Sequence, residues 1–274
     1  LREAFDAMRL EPVEIATMHE VRDLTIPAPH GGIKARLYKP TEQNNLPLLV
    51  WFHGGGWVLG NLDSADMTCR DIACHANCLV LSVDYRLAPE HPFPAAYDDS
   101  LSALRYAFEN ASSLGADKNR IAIGGDSAGA NLAACICIGA KDLDVKFQLL
   151  IYPVVEADFS NSSYTENADN FGLTGNLMQW FWDQYVPMEL DRSDYRVAPL
   201  NGELAGLPPA YLLTVKFDPL RDEGLKYAEA LRDANVDVEP AQADNTIHGF
   251  FTMPTKGGLR ARIEAASKLK KALM

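Results

Sequence analysis

An apolar run, Arg120-Ile121-Ala122-Ile123-Gly124, feeds straight into Gly125-Asp126-Ser127-Ala128-Gly129, and a small-residue helical stretch, Ala128 to Ala140, follows. A strand that turns this sharply into a helix forces its middle residue into a strained backbone conformation. Glycine on either side leaves room for the turn, which lifts the serine hydroxyl clear of the sheet. Gly-x-Ser-x-Gly alone is a modest signal, because small residues gather at many tight turns. The strand–turn–helix context makes it specific, and it predicts an α/β protein that presents Ser127 as a nucleophile.

The rest of the chain alternates in the same way. Apolar runs predict strands near 22–26, 34–38, 48–52, 78–84, 120–123, 148–152, 211–217 and 237–240. Helical patterns fall near 64–76, 95–110, 128–139, 221–235 and 258–273. Strand–helix alternation implies a mostly parallel eight-stranded sheet with helices on both faces, opened by an antiparallel pair across residues 27–32. No internal repeat or low-complexity linker interrupts it, and 274 residues suit a single domain, 1–274, with a substantial core.

A nucleophile of this kind needs a base and an acid, which follow it in the order serine, acid, histidine. Of six histidines (His19, His30, His53, His75, His91 and His248), only His248 comes after Ser127. It sits in Thr246-Ile247-His248-Gly249-Phe250, a loop beyond a strand; the bland alternative is a surface histidine. Several carboxylates compete for the acid. Asp218 is favoured because it ends the strand Ala210 to Phe217, and ligands gather at the carboxyl ends of strands in open α/β sheets. Asp222 and Glu223 already belong to the following helical turn, where they complement the helix dipole.

Attack on an ester carbonyl also creates an oxyanion, and one preorganised N–H donor is worth about 3–4 kcal/mol. The buried strand Leu48 to Phe52 runs into His53-Gly54-Gly55-Gly56-Trp57, whose glycines let backbone amides approach a ligand. A phosphate loop is the rival, but no Gly-Lys-Ser/Thr follows. His53 precedes the serine and is expected to brace the loop. Asp126 is expected to hydrogen bond near the elbow or the glycine loop.

Several independent motifs in order make the chain resemble the bacterial hormone-sensitive-lipase-like esterases of the α/β-hydrolase superfamily. They are His53-Gly54-Gly55-Gly56-Trp57, the run Asp84 to Ala96, the serine elbow, Leu207-Pro208-Pro209-Ala210, Asp218 to Gly224, and His248-Gly249-Phe250. The resemblance covers nearly everything from Val21 onward. It implies the α/β-hydrolase fold, a triad of Ser127, Asp218 and His248, and oxyanion donors on the N–H groups of Gly55, Gly56 and Ala128. Two departures stand out. Ala130 replaces a second glycine after the elbow, at a helical position where alanine is the better former. Only about twenty residues precede Val21, where the family carries a longer N-terminal cap segment, so part of the cap is expected to be missing.

The implied activity is two-step hydrolysis of short-to-medium acyl esters, with no metal and no cofactor. A small helical cap, about 1–20 and 157–204, would cover the pocket. Its aromatic stretch (Phe171, Trp180, Phe181, Trp182, Tyr185) mostly packs on the core, with Phe171 and Trp57 as candidate pocket residues. A deacetylase of acetylated sugars or an amidase would share the triad, and plant gibberellin receptors look like the same family but lack the working histidine.

Composition agrees. A net charge of −12 argues against nucleic acid and anionic membrane surfaces as partners, and no apolar stretch reaches spanning length. Five cysteines without a framework spacing, and no visible signal peptide, suggest reduced thiols in the cytoplasm. Cys69, Cys74, His75 and Cys78 could tempt a zinc reading, but they look like one amphipathic helix. The last strand offers an edge on which a homodimer could pair.

Overall fold

The computed structural model describes residues 2–7, 14–169, 171–187 and 190–274. The expected cap segments include residues 1, 8–13, 170 and 188–189, which lie outside the described residues.

Among the described residues, eight strands form one sheet in the spatial order β1-β2-β4-β3-β5-β6-β7-β8. They are β1 (Glu20–Ile26), β2 (Ile33–Lys39), β3 (Leu46–Phe52), β4 (Leu79–Asp84), β5 (Ala116–Asp126), β6 (Gln148–Ile151), β7 (Ala210–Phe217) and β8 (Val238–Ile247). β1 pairs antiparallel with β2, β2 antiparallel with β4, and every later pairing is parallel. This is the α/β-hydrolase fold. The central strands are covered on both faces, so β3, Leu-Pro-Leu-Leu-Val-Trp-Phe, is a continuous apolar run rather than an alternating one. At the far edge β8 is instead mostly half-buried or exposed, and it tolerates Pro240 because an edge strand has one set of N–H groups outside the ladder.

Helices α2 (Leu62–Ala76), α3 (Ala95–Glu109), α5 (Ala128–Gly139), α8 (Arg221–Asp233) and α9 (Lys256–Leu273) cover the two faces, with short α1 (Arg2–Ala7) and α4 (Ala111–Leu114). One core holds Val50, Phe52, Leu132 and Leu150; the other holds Trp51, Ile72, Leu149 and Leu269. Strand alternation separates neighbouring residues such as Val50 and Trp51 into opposite layers. α2 opens with a reciprocal cap, Asn61 Oδ1 accepting from Ser64 N and Ser64 Oγ from Asn61 N, both at 2.9 Å.

The stretch between β6 and β7 carries α6 (Ser162–Glu166) and α7 (Gly175–Tyr185). Phe181, Trp182 and Tyr185 of α7 are buried, while Trp180 is exposed. At the other end of the chain, Arg2 donates to the carbonyls of Val58 and Ala88, both at 2.8 Å, and pairs with Glu90 at 2.6 Å. Arg86 of the run after β4 forks onto Asp99 at 2.8 and 2.9 Å, fixing that run against α3. Cys69, Cys78, Cys135 and Cys137 are buried free thiols; Cys74 is exposed, and the α2 helix ends before Cys78. Among the described residues, no helix is long and apolar enough to cross a membrane.

Candidate active site

Ser127 occupies φ 55°, ψ −120°, a conformation that side-chain-bearing residues rarely adopt. Packing explains why both flanking positions are glycine. A Cβ at Gly129 would lie 2.0 Å from the carbonyl oxygen of Phe52, and one at Gly125 would lie 2.5 Å from that same atom. The turn therefore sits directly on the end of β3, and the Ser127 backbone N–H is held by the Ile151 carbonyl at 2.9 Å.

Two further strands end at the same place. Asp218 follows β7 and is fully buried; its Oδ1 accepts from Leu220 N at 2.9 Å. Its Oδ2 accepts from His248 Nδ1 at 2.7 Å, immediately past β8. His248 Nε2 then accepts from Ser127 Oγ at 3.0 Å. With Nδ1–H committed to the carboxylate, Nε2 carries the free lone pair facing the hydroxyl. Tyr152, just beyond β6, lays its ring 4.5 Å from the imidazole and limits its tilt.

The glycine loop leaves β3 beside this relay. Gly55 and Gly56 have φ of 118° and 59°, and both line the cavity above Ser127. A side chain on Gly55 would strike Leu59, and one on Gly56 would enter the Phe181 ring. Ala128 is the first residue of α5, so its N–H has no acceptor within the helix. Three amides thus belong to segments that meet at the serine, as a developing oxyanion requires.

His53 and Asp126 stand behind the loop. His53 Nδ1 donates to the Gly54 carbonyl at 2.8 Å, its ring stacks on Tyr85 at 4.4 Å, and the Tyr85 hydroxyl donates to the His53 carbonyl at 2.7 Å. Burial lowers the imidazole to about 4, which keeps it neutral near pH 7 and suits a brace. Asp126 Oδ1 accepts from Gly54 N at 3.1 Å, so the residue preceding Ser127 is tied to the glycine loop. Burial pushes its carboxyl up to about 6, against a partial offset from the Gly54 N–H.

That displacement has a sign. Below about pH 4 the carboxyl is neutral whether folded or unfolded; above about pH 6 it must ionise inside the protein, so wild-type stability falls across that window. Asp126→Asn keeps an acceptor for Gly54 and cannot ionise. Its stability relative to wild type should rise by roughly 2–3 kcal/mol between pH 4 and pH 8, read by denaturant unfolding. A pH-independent difference would contradict this.

A cavity of about 260 Å³ opens over Ser127. Leu59 and Ala65 form one wall, and Leu173, Leu177, Met178 and Phe181 from the stretch between β6 and β7 form the other. The two aromatic candidates are not among its lining residues. Trp57 is fully buried behind the loop, stacked on Tyr185 at 4.4 Å and tilted against Trp182 at 5.1 Å. Phe171 stacks on Phe217 at 5.0 Å, and the neighbouring Gly172 and Leu173 reach the cavity instead.

The other carboxylates of the Asp218 turn, Asp222 and Glu223, stand in the first turn of α8 as expected, and both also act as tethers. Asp222 accepts from Ser163 N at 2.8 Å, and buried Glu223 accepts from Val155 N at 2.8 Å and Tyr164 Oη at 3.2 Å. Burial holds the Glu223 carboxyl well above its usual range. These contacts fasten the segment after β6 to α8. Tyr152 could have been found from its place at a strand's carboxyl end, whereas nothing in the local pattern marks Tyr164.

Residues 49–252 match the family described as having the alpha/beta hydrolase fold. The carboxylesterase NlhH of Mycobacterium tuberculosis is 46% identical over 252 residues, covering 88% of this chain and 79% of that protein. An ester hydrolase from the Lake Arreo metagenome, solved with a bipyridine phosphonate derivative, superposes with a TM-score of 0.93 at 41% identity, covering 98% of this chain and 89% of that one. The hyperthermophilic esterase of Pyrobaculum calidifontis superposes with a TM-score of 0.91 at 41% identity, covering 94% and 88%.

Proposed function

The chain belongs to the hormone-sensitive-lipase-like esterases of the α/β-hydrolase superfamily and is a carboxylic ester hydrolase, and from that premise we propose that Ser127, His248 and Asp218 carry out two-step acyl transfer on short-to-medium acyl esters. The observation that supports this most is the unbroken relay Ser127 Oγ–His248–Asp218, at 3.0 and 2.7 Å, on the floor of an apolar cavity.

In the first step Ser127 Oγ attacks the ester carbonyl while His248 Nε2 takes its proton. Asp218 holds the tautomer and stabilises the imidazolium that results. The N–H groups of Gly55, Gly56 and Ala128 receive the oxyanion, in a site where donors need no reorganisation as the charge forms. His248 then protonates the departing alcohol. In the second step a water gives its proton to His248 and attacks the acyl carbon; the bond to Ser127 Oγ then breaks, His248 returns the proton to Oγ, and the acid leaves with the serine restored.

Residues 157–204 act as the cap, with α7 as the wall that sizes the acyl site. Phe181 presses flat against Gly56, closing the cavity beside the proposed oxyanion amides. Rates on a p-nitrophenyl ester series should therefore peak at acyl lengths of roughly two to eight carbons, with emulsified triolein a poor substrate. Phe181→Ala should move the peak to longer chains. Comparable rates on triolein, or an unmoved peak, would contradict the assignment.

A further inference from the structure

One buried charge lies close to the relay and takes no part in the chemistry. Arg262 is on α9 between exposed Leu259 and Ile263, yet only 1% of it reaches solvent. Its Nε donates to Asp71 Oδ2 on α2 at 2.6 Å, and its Nη1 donates to the carbonyls of Phe251 and, at 3.1 Å, Met253. Those two carbonyls belong to the turn that leaves His248: Gly249 in the left-handed region at φ 84°, then a single 3-10 turn, Phe250–Thr252. The fit is close. A Cβ on Gly258 would meet the Phe250 and Met253 carbonyl oxygens at 2.6 Å and Arg262 Nη1 at 2.9 Å.

The other end of the tie is equally placed. α2, which carries Asp71, begins directly after the glycine loop at its Asn61 cap, and its first turn contributes Ser64 and Ala65 to the cavity wall. One guanidinium thus joins the helix that starts at the glycine loop to the turn that carries the histidine. A buried ion pair is weak support for stability, since desolvation offsets most of the attraction. A planar fork that holds three acceptors in fixed directions is well suited to geometry.

We propose that Arg262, anchored by Asp71, is a positioning residue for His248, holding the Gly249–Met253 turn so that Nε2 stays within hydrogen-bond range of Ser127 Oγ. This rests on the reading of His248 as the base.

The test compares Arg262→Lys, Asp71→Ala, Asp71→Asn, Leu269→Ala and His248→Ala in the whole chain. The first four are measured for kcat per phosphonate-titrated site, KM, Tm and the low-field proton resonance of His248 Nδ1–H, and His248→Ala for turnover per chain and Tm. A small displacement transmitted from outside the chemistry should lower kcat about 10- to 100-fold in Arg262→Lys and Asp71→Ala, with KM within about twofold and the low-field resonance shifted or lost. Asp71→Asn still offers Arg262 an acceptor oxygen and should recover kcat to within about threefold of wild type. Leu269→Ala, a core loss on the same helix, should lower Tm and leave kcat alone.

If Arg262→Lys and Asp71→Ala behave like Leu269→Ala while His248→Ala is inactive, the positioning role is overturned and the base stands. If His248→Ala stays active, the base assignment fails and takes the inference with it. Should Arg262→Lys not fold, equal kcat in Asp71→Ala and Asp71→Asn would still overturn it.

Discussion

Ser127→Ala should lower ester hydrolysis by a factor on the order of 10⁴ to 10⁶ and leave the far-UV spectrum and Tm close to wild type. In the proposed mechanism this hydroxyl supplies the bond to the acyl carbon, and the Ser64 and Thr252 hydroxyls that also line the cavity lack its hydrogen bond to His248. Little structure depends on it, because the backbone of residue 127 is held by its own N–H to Ile151 and by the crowding of Gly125 and Gly129 against Phe52. Alanine meets the same positive-φ strain as serine, so the fold gains and loses almost nothing. Turnover above a trace in a variant free of wild-type contamination would move the nucleophile elsewhere.

The second large effect separates two neighbouring carboxylates. Asp218→Asn should lower kcat by about 10⁴. Its amide would turn its oxygen toward Leu220 N–H, which Asp218 Oδ1 accepts at 2.9 Å, and its NH₂ toward His248 Nδ1. Nδ1 would then be the acceptor and Nε2 would carry the proton, which is the wrong tautomer for taking one from Ser127. Asp222→Asn should change kcat by less than about tenfold, because its work is to receive the Ser163 N–H, which an amide oxygen also does. Steady-state kinetics on one short-chain ester rank the pair, and the reverse ranking would transfer the acid to Asp222.

How far the chain could be read depended on how local each signal was. The serine elbow and the glycine loop are set by contacts within a few residues and by single backbone conformations, so glycine spacing announces them. Asp218 and His248 were legible through strand ends, since the parallel strands β3 to β8 bring their carboxyl ends to one side. Strand extents were less so: β5 starts at Ala116 through polar Asp117, Lys118 and Asn119, and β8 runs on to Ile247 through Gln242 and Asp244. Both are longer than their apolar stretches because ladder hydrogen bonds do not need apolar side chains, least of all at an edge.

The pocket was the part that spacing could not supply. Trp57 follows the glycine loop, yet its φ of 60° turns it into the core beneath α7. Phe181 and Trp182 are adjacent in sequence, and only the rotation of α7 sends one to the cavity and the other inward. Arg262 was hidden for a similar reason. In a helix rich in lysine and arginine it looks like any solvated cation, and its burial comes from Asp71, which is remote in sequence.

The most direct test of the acyl-transfer account is covalent: titration of the chain with a p-nitrophenyl alkylphosphonate, followed by peptide mapping of the modified protein. One phosphonate per chain on Ser127, with activity lost in step with labelling and no label in Ser127→Ala, is the predicted result. Label on a different residue, or hydrolysis that survives complete labelling of Ser127, would contradict it.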